Sequence, residues 1–482
     1  MTQTVIVAGA GPTGLMLAAE LRLGGVDVTV IEPRAGIGEH SLGMAIHGRT
    51  LEVMKQRGLA DELRSAGLFA WPRTPFSMLW LDLDGAGPDD YTYGLPQWQT
   101  ERVLFRRAAA LGADIRWGHR VTGLTEDAEG VVVDVSTADG EQSQLRAGYL
   151  VGCDGADSTV RRLAGIELEE HESSGYYGIL GDVEPEEGEE FAAGLYPTGL
   201  FGAIPLSENT LRLMTVEFGA RPVDADGPAT EAELRASIER ITGTAPRLRQ
   251  ARYVGRYGRP SVVARCFRKG RVLLAGDAAH VFFVSGTQGL NTGIQDAVNL
   301  GWKLAAEVNG WAPDGLVDSY QEERLPAASR ACAHARAQIA LMHPLEKVQP
   351  LREMFAELLR FPEVNQHLLR MPTEVRYPAP EPGDHPLHGL PIEDAPLSCP
   401  TGQTTIAETL CAARGVLLWF SGESGPPLNR WPGRVDVVVA KPVPGIDADF
   451  LLIRPDGQIA VAGSDVARLE RVLRTWFGTP VG

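Results

Sequence analysis

A carboxylate lies between an apolar run and a glycine-rich turn in residues 271–293, RVLLAGDAAHVFFVSGTQGLNTG. The run leads to Asp277, the turn contains Gly286 and Gly289, and an amphipathic helical pattern begins near Asn291. A carboxylate can accept hydrogen bonds from sugar or ribityl hydroxyls. A helix N-terminus offers unpaired N–H groups and a partial positive charge. The segment therefore predicts a site for a polar, electron-poor ligand.

The N-terminal residues carry the other half of a nucleotide site. An apolar strand pattern leads into G-x-G-x-x-G, formed by Gly9, Gly11 and Gly14, and a helical pattern follows. These glycines permit a tight turn, close approach of a pyrophosphate and close packing of helix on strand. A second strand pattern ends at Glu32, roughly twenty residues on, where an acid accepts hydrogen bonds from a ribose. This order of elements predicts a dinucleotide-binding fold.

Composition limits the partners and the compartment. The 482 residues include 45 Lys and Arg against 62 Asp and Glu, a net charge of −17, which disfavours nucleic acid and anionic membranes as partners. The five cysteines are scattered without a C-x-x-C pair, so we expect neither a disulfide framework nor a metal site. No apolar run is long enough to span a bilayer, and the N-terminus lacks the basic segment of a signal peptide. We expect a cytoplasmic protein.

The order of patterns predicts an α/β fold built on a Rossmann-type domain. Residues 1–175 and 265–375 are expected to form this nucleotide-binding domain, with a β insertion near residues 72–95. A long helical stretch from Asp318 to about Leu369 is expected to be interrupted by prolines.

Two further domains are expected. Residues 176–264 alternate as strands around one helical pattern and predict a β-sheet substrate domain that covers a pocket. A proline-rich linker spans residues 376–395. Residues 396–482 contain strand patterns followed by a helix, which predict a small C-terminal α/β domain.

Three motifs, in this order, resemble those of the class A flavoprotein monooxygenases, the group of para-hydroxybenzoate and phenol hydroxylases. They are GAGPTG with Glu32, CDGADSTVRRLAG at residues 153–165, and GDAAHVFFVSGTQGLNTGIQDAVNLGWKLA. RTLEVMKQRGL, PQWQTERVL and DSYQEERLP extend the resemblance over most of the chain, and the nearest likeness is to bacterial enzymes that tailor aromatic polyketide antibiotics. The C-terminal region resembles a thioredoxin-like domain without C-x-x-C, so we expect it to be structural or to form a homodimer contact.

The resemblance implies FAD as cofactor, with NADPH or NADH as a transient reductant, since the chain has one nucleotide fingerprint. By position in the family's motifs, the residues expected at the pyrophosphate and adenosine are Gly9, Gly11, Thr13, Gly14, Glu32 and, through its backbone, Val121. Those expected to brace the site or to contact the ribityl chain and the isoalloxazine ring are Gln97, Asp154, Asp277, Gly286, Gly289, Leu290 and Asn291.

The activity implied is hydroxylation of a polycyclic aromatic, polyketide-type substrate by a flavin C4a-hydroperoxide, so no catalytic side chain is assigned. His280, in the GDAAH motif, is interpreted as a histidine that packs or bonds a backbone group rather than as an acid or base. Six side chains could face the substrate: Tyr176, Tyr196, Phe201, Arg212, Met214 and Phe283. For each of them, packing within the sheet is the simpler interpretation.

Three departures from the family keep a second function open. Many relatives have proline at the position of Val284, glycine at that of Thr287 and arginine near that of Leu42. Such changes bear on reduction of the flavin by NAD(P)H rather than on nucleotide binding. The alternative is a flavin-fold protein that catalyses a non-oxidative rearrangement or a binding step, and epoxidation or Baeyer–Villiger insertion are alternative oxygenation outcomes. A simple NAD-dependent dehydrogenase would leave residues 276–293 unexplained.

Overall fold

The computed structural model describes residues 4–71, 73–83, 91–169, 176–220, 227–258, 260–283, 287–371, 375–377, 385–422 and 431–480. Two residues singled out from the sequence, Val284 and Gly286, lie outside these ranges.

The strands and helices of the described residues follow in chain order. The strands are β1 (Val5–Ala8), β2 (Val28–Glu32), β3 (Ala45–His47), β4 (Phe69–Ala70), β5 (Thr74–Phe76), β6 (Leu79–Leu81), β7 (Thr92–Gly94), β8 (Asp114–Trp117), β9 (His119–Glu126), β10 (Val131–Thr137), β11 (Gln142–Ala147), β12 (Tyr149–Gly152), β13 (Leu168–Glu169), β14 (Tyr176–Pro185), β15 (Gly194–Tyr196), β16 (Gly199–Ser207), β17 (Thr210–Phe218), β18 (Leu248–Tyr257), β19 (Val262–Ala264), β20 (Arg268–Lys269), β21 (Val272–Leu274), β22 (His280–Val281), β23 (Pro396–Cys399), β24 (Gly402–Thr405), β25 (Gly415–Trp419), β26 (Val435–Val439), β27 (Phe450–Ile453) and β28 (Ile459–Gly463). The helices are α1 (Pro12–Leu23), α2 (Gly48–Lys55), α3 (Ala60–Ser65), α4 (Gln97–Ala110), α5 (Thr159–Leu163), α6 (Glu231–Thr242), α7 (Gly289–Val308), α8 (Asp318–Ala340), α9 (Leu345–Leu358), α10 (Pro362–Arg370), α11 (Ile406–Thr409) and α12 (Val466–Phe477).

The nucleotide-binding part is organised by a six-stranded sheet in the order β20-β21-β12-β1-β2-β8. All neighbouring pairs are parallel except β20 with β21. Strands β1, β12 and β21 are buried along their whole length, which is why they are short apolar runs rather than alternating patterns. Helix α1 packs on α7 and α4. The predicted Rossmann-type α/β fold is confirmed.

A five-stranded antiparallel sheet in the order β15-β16-β17-β14-β18 forms a second layer. Side chains on one face, among them Ile179 and Leu213, pack against Leu234 and Ile238 of α6. The opposite face, called the inner face below, carries Tyr176, which belongs to the main core around the parallel sheet. The period of two along each strand thus divides this sheet between two environments.

The C-terminal part contains a mixed four-stranded sheet in the order β26-β25-β27-β28. Its Leu417 and Phe450 share a buried cluster with Trp302 of α7 and with Leu469 of α12. The predicted C-terminal α/β fold is confirmed. Helix α7 therefore belongs to the main core from Ile294 to Ala305, while Trp302 and Ala306 join it to the cluster of the C-terminal sheet.

The long helical stretch forms three helices, α8, α9 and α10. Pro344 and Pro362 lie at the starts of α9 and α10, where the missing N–H has no intrahelical acceptor to lose. Pro326 and Pro350 lie inside α8 and α9, so these two prolines do not interrupt the helices. Proline alone does not predict where these helices end. It removes one backbone hydrogen bond, but tertiary packing decides whether the helix continues past it.

Candidate cofactor site

Close packing requires glycine at two positions of the N-terminal motif, whereas the third position faces open space. Gly9 has φ +105°, and a Cβ there would collide with the carbonyl of Cys153. A Cβ on Gly14 would collide with the carbonyl of Gly9. Gly11 is the N-cap of α1, and a Cβ there would meet nothing within 4 Å. The N-terminus of α1 is thus open to a phosphate group.

Thr13 brings two helix starts together. A Cβ built on Gly276 would stand 2.6 Å from Thr13 Oγ1, and one built on Gly293 would stand closer still. Gly276 begins the 3-10 turn Gly276–Ala278, and Gly293 lies in the first turns of α7. The N-termini of α1 and α7 therefore converge on one crevice at the carboxyl ends of β1 and β21, where doubly wound folds bind their ligands.

Asp277 lies beside the start of α7. The side chain belongs to an exposed residue of the 3-10 turn, and its Oδ1 is 3.5 Å from a Cβ built on Gly289. The first intrahelical bond runs from Thr292 N to Gln288 O at 2.8 Å. The N–H groups before it, including that of Leu290, have no intrahelical acceptor. A carboxylate and a positive helix end thus face the same crevice.

Asn291 connects α7 to β3. Its Oδ1 accepts a hydrogen bond from His47 N at 2.8 Å. Its Nδ2 donates to Ala45 O at 3.1 Å and to Thr287 O at 2.7 Å. The side chain is therefore occupied by backbone groups, which leaves the main chain of Gly289 and Leu290 to contact a ligand.

Glu32 belongs to a chain of polar contacts along the crevice. Its Oε2 accepts a hydrogen bond from Ala10 N at 2.7 Å, and its Oε1 accepts one from Arg34 Nε at 2.9 Å. Arg34 Nη1 and Gln97 Nε2 each donate to the Glu101 carboxylate at 2.9 Å. The structure thus brings Glu32 and Gln97 together. Arg34 and Glu101 were missed from the sequence because their partners lie on other elements.

Asp154 braces the turn after β12, beside Gly9 of the N-terminal motif. Its Oδ2 accepts hydrogen bonds from Thr159 N at 2.7 Å and Val160 N at 3.1 Å, so it caps α5. Ser158 Oγ donates to Oδ1 at 2.5 Å. Val121, expected at adenine, is a buried residue of β9 opposite Val135.

A buried ion network supports the 3-10 turn from behind. Asp296 of α7 accepts hydrogen bonds from Gly276 N at 3.1 Å, His280 Nε2 at 2.6 Å and Arg324 Nε at 2.7 Å. Burial opposes ionisation, but His280 and Arg324 outweigh it and lower the pKa of Asp296 to about 2. His280 is therefore more than a packing residue, because it bonds a buried carboxylate.

The sheet register separates the six expected substrate residues. Two of them, Tyr196 and Phe201, lie on the face that packs against α6, because Phe201 pairs with Thr215 and Tyr196 with Gly199. They face away from the crevice. Tyr176 meets Phe283 edge to face with ring centroids 4.7 Å apart.

Arg212 lies on the inner face but is fully engaged. Its Nε and Nη2 donate to the Asp182 carboxylate at 2.7 and 2.9 Å, and Nη1 donates to Leu42 O at 3.1 Å. This arginine joins the second sheet to the loop after β2, so its contacts are structural.

Met214, one of the expected substrate residues, lies on the inner face. Its side chain lies where a Cβ on Gly202 would stand, at 2.8 Å from Cγ. The Tyr257 ring covers Gly178 in the same way, and this inner-face residue was missed from the sequence. Glycines that alternate with large side chains indicate a sheet face on which rings and long side chains cover the neighbouring strands. The sequence alone does not say which face of the sheet these side chains occupy.

Among the described residues, no helix is long and apolar enough to cross a membrane. Within those same ranges, no group of three or more His, Cys, Asp or Glu side chains is arranged to hold a metal ion.

Comparisons with known proteins agree with this geometry. Residues 2–335 match the family described as FAD binding domain, and residues 385–480 match the C-terminal region of aromatic-ring hydroxylases. The 12-dehydrotetracycline 5-monooxygenase/anhydrotetracycline 6-monooxygenase of Streptomyces rimosus is 39% identical, with 100% of both chains covered. The dialkyldecalin synthase of Streptomyces rugosporus is 40% identical, with 99% of each chain covered.

A solved structure extends the likeness to three dimensions. The anhydrotetracycline hydroxylase from Streptomyces rimosus superposes with a TM-score of 0.91 at 38% identity, and 100% of both chains is covered. Such identity and coverage show common descent of the whole fold rather than of one motif. The chain belongs to the class A FAD-dependent aromatic hydroxylases and monooxygenases.

Proposed function

We propose that this protein hydroxylates a polycyclic aromatic substrate of polyketide type, using FAD, O₂ and NADPH or NADH. The observation that carries the proposal is the crevice between two helix starts, where Thr13 packs against Gly293 and Asp277 lies beside Gly289. Each helix start offers N–H groups and a positive field. One dinucleotide can therefore place its pyrophosphate at α1 and its electron-poor ring at α7.

The residues fit FAD at both ends of the crevice. Those that we assign to contacts with the cofactor, or to bracing its site, are Gly9, Gly11, Thr13, Gly14, Glu32, Gln97, Val121, Asp154, Asp277, Gly289, Leu290 and Asn291. Bound FAD supplies the redox chemistry by taking electrons from the nicotinamide cofactor and activating O₂ for transfer of one oxygen atom. The start of α7 stabilises negative charge at the pyrimidine edge of the ring.

We assign the substrate to the space between this crevice and the inner face of the second sheet. Tyr176, Met214 and Phe283 are the substrate residues that we retain, and residues 176–264 are the covering domain. Large apolar side chains on this face suit a flat aromatic ligand and exclude water from the reacting ring. The tetracycline-oxygenating relative supports a polycyclic substrate.

A second function is favoured by one observation. A relative of 40% identity is a synthase by name rather than an oxygenase. The same crevice and covering sheet could hold FAD structurally while the inner face orients a substrate for a non-oxidative ring closure. The two functions differ in whether O₂ and a nicotinamide cofactor are consumed.

The first experiment measures both properties on one preparation. We expect the purified protein to be yellow with one FAD per chain, and NADPH or NADH oxidation to increase when an anhydrotetracycline-type aromatic is added. Colourless protein that does not take up FAD would refute the proposal. Substrate conversion at the same rate without O₂ and without a nicotinamide cofactor would favour the synthase.

A further inference from the structure

Thr287 has an unfavourable backbone conformation at the start of α7. Its φ is +53°, and Ser77, Met78 and Ala413 are the other non-glycine residues with positive φ among those described. A β-branched residue in the left-handed region is strained by its own Cβ. Such strain persists only where the surroundings impose it, and it marks places where geometry serves function.

Two contacts hold Thr287 in this conformation. Its Oγ1 lies 2.8 Å from His47 Nε2, and its carbonyl accepts a hydrogen bond from Asn291 Nδ2 at 2.7 Å. Asn291 Oδ1 in turn accepts a hydrogen bond from His47 N at 2.8 Å. His47, Thr287 and Asn291 therefore form a closed ring of hydrogen bonds, called the Thr287 clamp below. It joins β3 to the first turn of α7.

The clamp leaves the helix start without an added charge. Burial, and to a lesser extent His334, lower the pKa of His47 to about 4, so the imidazole in the clamp is neutral at physiological pH. His334 of α8 is also buried, and its Nδ1 lies 2.6 Å from Gln288 Nε2, at the N-cap of α7. Burial lowers its pKa to about 4 as well. Neither imidazole therefore adds a charge to the positive field that the helix itself supplies at the start of α7.

We propose that the Thr287 clamp positions the N–H groups at the start of α7 against the pyrimidine edge of the flavin and so tunes its reduction. The inference rests on the proposed function, in which Gly289, Leu290 and Asn291 line that edge. Reduction places negative charge on the ring, so accurately placed N–H donors bind the reduced form better than the oxidised form. Thr287 and His47 act through the backbone of α7 and are positioning residues.

Thr287→Gly separates this role from a merely structural one. Glycine relieves the left-handed strain while it loses the hydroxyl, so the two effects on folding stability oppose each other. We expect the melting temperature to be unchanged and FAD to stay bound. The preference for the reduced flavin should be about tenfold weaker, which lowers the midpoint potential by about 30 mV for a two-electron couple. Thr287→Ser keeps the hydroxyl and should restore the wild-type potential. Ala413→Gly is the matched control, since it relieves the same strain in the C-terminal part.

The midpoint potential of bound FAD, measured by dye-coupled reductive titration, decides the inference without requiring a nicotinamide cofactor. A Thr287→Gly potential equal to that of the wild type, or a Thr287→Ser potential that shifts as far as that of Thr287→Gly, would overturn it. If Thr287→Gly loses FAD, the test uses His47→Phe, which removes the other partner of the same hydrogen bond. This variant must lower the midpoint potential in the same way, and an unchanged potential in His47→Phe also overturns the inference. A wild-type flavin that neither NADPH nor NADH reduces would refute the proposed function instead.

Discussion

Replacing Asp296 with asparagine should destabilise the fold and loosen FAD. Asp296 is fully buried and accepts hydrogen bonds from Gly276, His280 and Arg324 at 3.1, 2.6 and 2.7 Å. Asparagine keeps the shape but has one acceptor oxygen and no charge. Arg324 would then remain buried without a neutralising partner, a change that costs about 3–5 kcal/mol. FAD loosens because Gly276 precedes the proposed ribityl ligand Asp277.

The pH dependence of the wild type gives a second measure of this site. The pKa of Asp296 is about 2 in the fold against an ordinary value of 3.8. At about 1.4 kcal/mol per pH unit, ionisation contributes about 2 kcal/mol. Because the folded pKa is the lower one, this contribution is complete above about pH 4 and is lost as pH falls towards 2. The asparagine variant, which has no carboxyl there, should lose less stability over that range.

Urea denaturation at pH 7, followed by protein and flavin fluorescence, measures the effect. Asp61→Asn is the matched control, because Asp61 also pairs with an arginine, Arg64 at 2.6 Å, but its side chain is 94% exposed and screened by water. A free energy of unfolding for Asp296→Asn within about 1 kcal/mol of the wild-type value would refute this prediction. So would a loss of stability in Asp61→Asn as large as that in Asp296→Asn.

Three further predictions concern the cofactor, the C-terminal part and pH. Asp277→Ala should release FAD on gel filtration, and stoichiometric flavin in that variant would contradict the assignment of its carboxylate. Arg454 donates to Glu323 at 2.5 and 2.7 Å across the contact between the C-terminal sheet and α8, so Arg454→Met should lower the unfolding free energy by about 3–5 kcal/mol; an unchanged urea midpoint would contradict this. His47 and His334 have folded pKa values of about 4 against an ordinary 6.5. Their neutral forms therefore stabilise the fold fully above pH 6.5, and this contribution is lost as pH falls to 4. A His334→Asn variant should show a shallower loss of stability over that window, and an equal slope would speak against a buried neutral imidazole.

The nucleotide fingerprint was predictable because its determinants lie close together in the sequence. Gly9, Gly11 and Gly14 are fixed by one turn, and Glu32 ends the next strand of the same unit. The fold class followed from the order of such units.

The remaining parts of the site depend on contacts between distant segments. Strand alternation groups Tyr196 with Phe201, but which face α6 covers is a tertiary choice, so the sequence could not assign them. Thr287 stood out as a departure from the family, yet its partner His47 lies 240 residues away. The carboxylate that His280 bonds was equally hidden, since Asp296 follows it by 16 residues in another element.

Mass spectrometry of the product formed under ¹⁸O₂ tests the central claim most directly. The FAD-loaded protein, NADPH and an anhydrotetracycline-type aromatic should give a hydroxylated product that carries one oxygen-18 atom from O₂, with the other labelled atom in water. A product without the label, formed at the same rate in the absence of O₂, would contradict the account.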